Sequence, residues 1–391
     1  MGRRVVNRLA ILGGDPAFPQ GVPFVRPPTP PLDRVVTRLT PSYDKGILTN
    51  GPLVTELESR TAARLGVADV VAVASCTAGL MLTLRALAPD GSVLVPSFTF
   101  SAGPHAVAWN GLRVVFAECD PRSLQLDCAD AAARLDGVGA VMATHVSGAP
   151  CDVAAVEGLA ATAGIPALFD AAHAFGARRR SRPVGGGGVA EVFSLTPTKP
   201  LVAGEGGLVA TNRDELAALV RIGRDYGNPG DYDTQFVGLN ARMSELHAAV
   251  ALESLTELDE HLATRQELAR RYLDGLGAIP GILPQHVDPG DTSTWKDFTV
   301  RVSEDDFGAS RDRLVAALRA EGVETRCYFD PPVHRQRAHA QSNPVGLPVT
   351  DAVSATVVSL PLYRDLERVK IDRITELLAS VHAHADEITS G

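Results

Sequence analysis

The sequence predicts an α/β fold: a mostly parallel mixed sheet flanked by helices, followed by a smaller C-terminal α+β unit. Three observations carry that prediction. From about residue 51 to residue 212, short apolar runs rich in Val and Ala alternate with helical patterns, as strands buried on both faces do. Two of these runs, VAEVFSL and GGLVATN, are separated by only ten residues. That gap is too short for a helical crossover, so they are predicted antiparallel neighbours in an otherwise parallel sheet. Beyond about residue 275 a second strand–helix–strand unit follows a long helical pattern.

The elements follow in order. Residues 1–50 are Pro-rich, with RPPTPPLDR near the middle, and read as an extended arm with one or two short helices. ELESRTAARLG reads as a helix closed by Gly66. Strand VVAVAS (70–75), helix AGLMLTLRALA (78–88), strand SVLVPS (92–97), helix SAGPHAVAWN and strand RVVFAE (113–118) come next. Strand VGAVMATHV, helix DVAAVEGLAATAG and strand IPALFD precede the antiparallel pair. Residues 241–275 hold one long helix. Strand KDFTVRV, helix SRDRLVAALRAEG, strand TRCYF, a Pro-rich loop and two more helices complete the chain.

A chain of 391 residues suits a large domain plus a smaller one. The expected division is an N-terminal arm over 1–50, a large domain over 51–275 and a small C-terminal domain over 276–391. Aromatic residues make up only 5 %, so the core must rest on Val, Leu and Ala. A net charge of −9 argues against nucleic acid as a partner, because phosphate binding needs a basic surface. The run Arg178-Arg179-Arg180 reads as a solvated face.

The five cysteines (Cys76, Cys119, Cys128, Cys151 and Cys327) are scattered, odd in number and form no CxxC pair. That pattern fits neither a disulfide framework nor a structural zinc site, and it fits a reducing cytoplasm. The opening MGRRVVNRLAILGG has too short an apolar run for a signal peptide and lacks the Ser or Thr of a myristoylation motif. No apolar stretch reaches the ~18 residues of a membrane span. Gly185–Gly188 is no Walker loop, since no Lys-Ser/Thr pair follows, and no GxGxxG joins the first strand to its helix. His382 and His384 would point ~200° apart on a helix, so no metal site is expected.

Three segments near strand C-terminal ends carry the chemistry, where open α/β sheets bind ligands. Ser75-Cys76-Thr77-Ala78-Gly79 offers small residues, hydroxyls and a helix start that suits a phosphate, and equally a simple N-cap. Asp170, closing IPALFD, is costly to bury without a cation, and a protonated pyridine nitrogen would be one. A solvent-accessible helix cap is the alternative. Lys199 leaves an apolar strand among small residues, five positions after Ser194. It is either an ordinary solvated lysine or a buried nucleophilic amine. Together the three supply an anion cradle, an acid and an amine, the groups pyridoxal phosphate needs.

The chain resembles the DegT/DnrJ/EryC1/StrS sugar aminotransferases, which have the aspartate aminotransferase-like architecture (pyridoxal phosphate fold type I). The resemblance runs from about Leu48 to Pro361 through LTNGPLVTELE, SCTAGL, VPSFTF, HVSGAPCDV, FDAAHAFG, SLTPTK, GEGG, GLNARMSEL and SLPLY, in the family's order. It implies that Lys199 holds the cofactor as a Schiff base, that Asp170 pairs with the pyridine nitrogen and that His173 sits near the ring hydroxyl. It also implies that Phe100 stacks on the ring and that Cys76, Thr77 and Ser194 contact the phosphate. Asn240 is implied to reach the phosphate of a neighbouring subunit, hence a homodimer. Arg242, Tyr328 and His334 match positions that line the sugar pocket.

Two positions depart from the family pattern: Thr196 stands where many members have His, and Cys76 where Gly is common. Lys199 itself is present, which counts against the dehydratases that replace it with His.

The expected reaction is amino transfer from glutamate (or glutamine) to a nucleotide-diphosphate keto sugar. LAILGGDPAF, FDAAHAFG and AEVFS resemble most the members that aminate carbon four of dTDP-4-keto-6-deoxyglucose. The alternatives are a 3-keto sugar, a cyclitol ketone, an aminodehydroquinate-type substrate, or a non-catalytic regulatory protein on the same fold. A deoxyaminosugar or antibiotic pathway in the cytoplasm is the expected setting.

Overall fold

The computed structural model describes residues 8–340 and 346–390; the first seven residues of the expected arm lie outside it. The strands are β1 (Asp69–Val73), β2 (Ser92–Pro96), β3 (Arg113–Ala117), β4 (Val138–Thr144), β5 (Ala167–Asp170), a small hairpin of β6 (Arg178–Arg179) and β7 (Arg182–Pro183), then β8 (Glu191–Ser194) and β9 (Gly207–Thr211). A seven-stranded sheet has the order β1-β9-β8-β5-β4-β2-β3. Strands β2, β3, β4, β5 and β8 pair in parallel. Strand β9 runs against both β8 and β1, as the ten-residue gap predicts. All strands except β9 therefore end on the same edge of the sheet.

Side-chain alternation explains why these runs are apolar throughout. Val70 and Ala72 of β1 and Leu208 and Ala210 of β9 enter one core, under the helices Pro52–Leu65 and Glu245–Leu276. Val71, Val73 and Val209 enter the opposite core, under the helices Cys76–Leu87, Ala102–Trp109 and Asp214–Gly223. Both faces are covered, so a polar residue has no place at either parity. Burying each Val or Leu contributes ~1.5–3 kcal/mol. Gly79 sets how closely the helix Cys76–Leu87 packs on the sheet: a Cβ there would lie 2.8 Å from Val192 Cγ1 and 3.0 Å from Val209 Cγ2. Closeness here places the start of that helix over the end of β8 and the start of β9.

The long helix Glu245–Leu276 serves two cores. Ala248 to Leu258 pack under the large sheet. Leu268 to Leu276 pack in a second core with Phe298, Val300, Leu9 and Val22, where Tyr272 stacks on Phe298 with ring centroids 4.7 Å apart. Its first residue, Glu245, is fully buried. The Glu245 carboxylate accepts from Gly51 N and Val54 N on Oε1, and from Leu53 N (all at 3.0 Å) and Ser42 Oγ (2.9 Å) on Oε2. These are the free amides that open the helix Pro52–Leu65.

A three-stranded antiparallel sheet follows, ordered β10 (Ile282–Pro284), β11 (Phe298–Val302), β12 (Val357–Leu360). Here the sequence reading needs correction. TRCYF is not a strand; only Arg326 bridges to Ser359. The place beside β11 belongs to VVSL (357–360), whose four residues are all buried, whereas Thr325 to Phe329 leave the sheet for the cleft. The arm over residues 8–50 packs on this unit: Glu321 accepts from Ala10 N at 2.7 Å and Ala17 N at 2.8 Å. One expected arm helix spans Leu32–Tyr43, tied to the long helix by Arg38–Glu253 at 2.5 Å.

Candidate active site

A cavity of about 390 Å³ opens at the edge where β1, β2, β4, β5 and β8 end, a size suited to a small-molecule ligand. Ser75–Thr77, Thr99, Phe100, Thr144, Asp170, His173, Ser194, Thr196, Thr198 and Lys199 reach it from the large sheet, and Lys296, Asp297, Tyr328 and Phe329 close it from the C-terminal unit.

Residues 75–79 cap a helix and also turn its first amides toward the cavity. Ser75 Oγ accepts from Ala78 N at 3.1 Å, capping the helix. The amides of Cys76 and Thr77 have no intrahelical acceptor, and they lie at the positive end of a twelve-residue helix facing the cavity. The backbone is close-packed here: a Cβ on Gly207 would lie 2.6 Å from Cys76 N.

Asp170 is only 3 % exposed, so the solvated-cap reading falls away. Its Oδ1 accepts from Ala172 N at 3.0 Å and lies 3.9 Å from Cys76 Sγ. Burial pushes the carboxyl up; the Ala172 amide and the nearby Lys199 pull the other way. Among the described residues no cation forms an ion pair with it, and the cavity lies beside it.

Lys199 sits in the tight loop after β8, where its amide bonds to Thr196 O at 3.0 Å and Ala203 N returns to Leu195 O at 2.7 Å. Burial, then the positive charge of Lys296, push its amine down from 10.5 to about 8. It is therefore no ordinary solvated lysine. His173 is held well below its usual range by burial, Lys199 and Lys296. Its Nδ1 is buried and has no hydrogen-bond partner. Ser194 is buried, with Oγ 3.4 Å from Thr196 Oγ1.

The remaining expected residues divide. Phe100 is 60 % exposed at the cavity rim, and Tyr328 lines the cavity. Asn240 and Arg242 lie outside the cavity of their own chain: Asn240 is exposed, while Arg242 pairs with Asp225 at 3.0 Å and covers the Tyr226 ring. His334 is buried away from the cavity. Its Nδ1 lies 2.6 Å from Ser97 Oγ and its Nε2 3.2 Å from Asp351 Oδ1, so the ring ties the C-terminal unit to the end of β2 instead of lining a pocket.

Sequence reasoning missed Thr99, whose hydroxyl lies 3.1 Å from that of Thr144, and the pair Lys296–Asp297. The signal for the pair was there: two adjacent opposite charges at the head of the strand FTVRV.

An unpaired buried carboxylate, an amine poised near neutrality, a helix N-terminus and an orphaned imidazole nitrogen converge on one cavity. These groups fit pyridoxal phosphate, whose ring nitrogen, aldehyde, phosphate and ring hydroxyl they would meet in that order. Fold and site together define a pyridoxal-phosphate-dependent aminotransferase of fold type I.

The chain belongs to the DegT/DnrJ/EryC1/StrS aminotransferase family, whose model matches residues 33–379. It is 31 % identical over 372 residues to the spore coat polysaccharide biosynthesis protein SpsC of Bacillus subtilis (strain 168), covering 90 % of this chain and 95 % of that one. The structure of DesI in the presence of its TDP-sugar product superposes with a TM-score of 0.92 at 36 % identity, covering 98 % of both chains. DesV of S. venezuelae, in complex with a ketimine intermediate, superposes at 0.84 with 32 % identity, over 91 % of this chain and 99 % of that one. Enzymes of this family use pyridoxal phosphate.

Proposed function

We propose that the protein transfers an amino group from L-glutamate (or glutamine) to a nucleotide-diphosphate keto sugar, and specifically to carbon four of dTDP-4-keto-6-deoxyglucose. The observation that carries the reading is the placement of Lys199, its amine near pH 8, in one cavity with the buried, unpaired Asp170. The likeness to DesI, seen with a TDP-sugar product, supports a nucleotide sugar as acceptor.

Pyridoxal phosphate, when bound, supplies an aldehyde that exchanges amines and a ring that takes up electrons. The protein supplies the rest. Asp170 is buried so that it favours a cation against it, and the ring nitrogen is that cation. The amides of Cys76 and Thr77, with Ser194, hold the phosphate. Lys199 would hold the group through its Nζ, and the free amine would move the proton at the substrate carbon that gains or loses nitrogen. With a pKa near 8 it can both take and return that proton near neutral pH. His173, kept neutral, offers a hydrogen bond to the ring hydroxyl, and Phe100 covers the ring face.

The exposed Asn240 serves the neighbouring subunit of a homodimer in this reading. In this reading the chain divides into an arm over 1–50, a large domain over 51–275 and a small domain over 276–391, with the arm's Leu9 and Val22 and the end of the long helix, Leu268 to Leu276, packed into the core of the small domain, and the protein works in the cytoplasm. No described helix is long and apolar enough to cross a membrane.

Adding L-glutamate to the cofactor-loaded protein is expected to change its visible absorbance, and dTDP-4-keto-6-deoxyglucose is expected to reverse the change faster than a 3-keto isomer or a cyclitol ketone. A spectrum unmoved by every amino donor contradicts the aminotransferase reading.

A further inference from the structure

Lys296 and Asp297 form a salt bridge at 2.6 Å with side chains only 7 % and 3 % exposed. Both line the cavity, yet neither has a part in the chemistry so far. Neighbouring residues of a strand point to opposite faces. These two meet because they lie in a bend just before β11, with Trp295 at φ +49°.

The bend is held from several sides. Arg265, itself buried, donates from Nε to Thr294 O at 3.0 Å and from Nη2 to Lys296 O at 2.9 Å, and also bonds Trp295 O. Burial pushes this guanidinium down to about 10. Thr294 Oγ1 donates to His173 O at 2.6 Å, and Thr294 N to Gly148 O at 3.0 Å. A buried arginine that spends three hydrogen bonds on neutral carbonyls is a costly support, and what it supports is an ammonium that lines the reaction cavity.

Among the described residues, Lys199 and Lys296 are the only Lys or Arg side chains lining the cavity. Lys199 is committed to the cofactor in the proposed reaction. Both substrates of that reaction carry anions, and burying a carboxylate without a cation costs several kcal/mol. Connectivity separates the two. The α-carboxylate of an amino acid is one bond from the carbon that exchanges nitrogen, so it must come within a few ångström of Lys199. The diphosphate of a nucleotide sugar is separated from a 4-keto carbon by the sugar ring. Lys296 is near enough to Lys199 and His173 for its charge to depress both.

We propose that Lys296 binds the carboxylate of the amino donor, and that Asp297 is a positioning residue that holds the ammonium in the cavity between turnovers. An ammonium has three donors and Asp297 takes one, which leaves two for an incoming carboxylate. This inference rests on the aminotransferase reading of the site.

The test uses cofactor-loaded protein and glutarate, a dicarboxylate that lacks the exchangeable amine, with affinity read by calorimetry. Lys296→Met is expected to weaken glutarate at least tenfold while the affinity for dTDP stays within twofold. Lys296→Met leaves Asp297 buried and unpaired, so the double variant Lys296→Met/Asp297→Asn, which removes both charges, is measured beside it. It should show the same loss of glutarate and a thermal midpoint nearer the wild type. Asp297→Asn alone should keep glutarate binding. Glutarate affinity untouched by both Lys296 variants, or dTDP weakened as much as glutarate, overturns the inference. If the wild type still responds spectrally to L-glutamate in that event, the aminotransferase reading stands; if it responds to no amino donor, both fall.

Discussion

The thiol of Cys76 lies 3.9 Å from Oδ1 of Asp170, so the residue that departs from the usual Gly touches the acid on which the site depends. Burial, with Asp170 beside it, raises the thiol well above its usual value. It therefore stays neutral and acts as a weak donor. Cys76→Gly removes that donor but keeps the backbone amide, so cofactor affinity is expected to fall less than about tenfold. Asp170→Asn keeps the shape and removes the charge. Its first half-reaction with glutamate should slow at least about a hundredfold, as measured by stopped-flow absorbance. Equal effects from the two variants would contradict the division of labour.

Lys199 makes the cofactor-free protein's stability depend on pH. Its folded pKa of about 8 lies below the usual 10.5. Below pH 8 both states are protonated and the native state bears the full penalty of a buried ammonium, on the order of 3 kcal/mol. Between pH 8 and 10.5 the unfolded chain holds more protons, so the native state gains stability as pH rises. Lys199→Met should raise the thermal midpoint at pH 7, and the gain should shrink toward pH 10. Thermal scans of the cofactor-free wild type and variant across that range check the sign.

Glu245 is a structural prediction away from the chemistry. Its buried carboxylate satisfies three backbone amides and the Ser42 hydroxyl at the start of the helix Pro52–Leu65. Glu245→Ala should cost about 3 kcal/mol. A urea midpoint that falls at an unchanged m-value is the expected record.

How far these groups were legible in the sequence follows from their surroundings. The strands of the large sheet were plain because both faces are buried, which leaves runs such as VVAV and ALF without interruption. The ten residues between VAEVFSL and GGLVATN, too few for a helical crossover, predicted that β8 and β9 run in opposite directions. VVSL was missed because four residues directly after a helix give no period, and TRCYF was misread because its β-branched and aromatic residues serve a cleft instead of a sheet. Lys296 and Asp297 were read only as the start of the strand KDFTVRV, since nothing local announces the bend or the Arg265 behind it. His334 matched a pocket position by motif, but its Nδ1 bonds Ser97 Oγ and its Nε2 faces Asp351 away from the cavity.

Asn240 supplies a prediction about assembly. It is exposed and outside its own cavity. Asn240→Ala should weaken cofactor binding about tenfold by the loss of a hydrogen bond to a phosphate. Mixing Asn240→Ala subunits with Lys199→Ala subunits should restore one tight site per mixed dimer, because that site joins an intact Lys199 to an intact Asn240 from its neighbour. Equilibrium titration of the mixture would show no tight site if Asn240 acts within its own chain.

The most direct measurement is to load the protein with pyridoxal phosphate, reduce it with borohydride, digest it and locate the pyridoxyl group by mass spectrometry. The account predicts a single modified peptide carrying the group on Lys199, and none once the protein has first been saturated with L-glutamate and freed of excess cofactor. A pyridoxyl group on Lys296 or another lysine, with Lys199 unmodified, would contradict it.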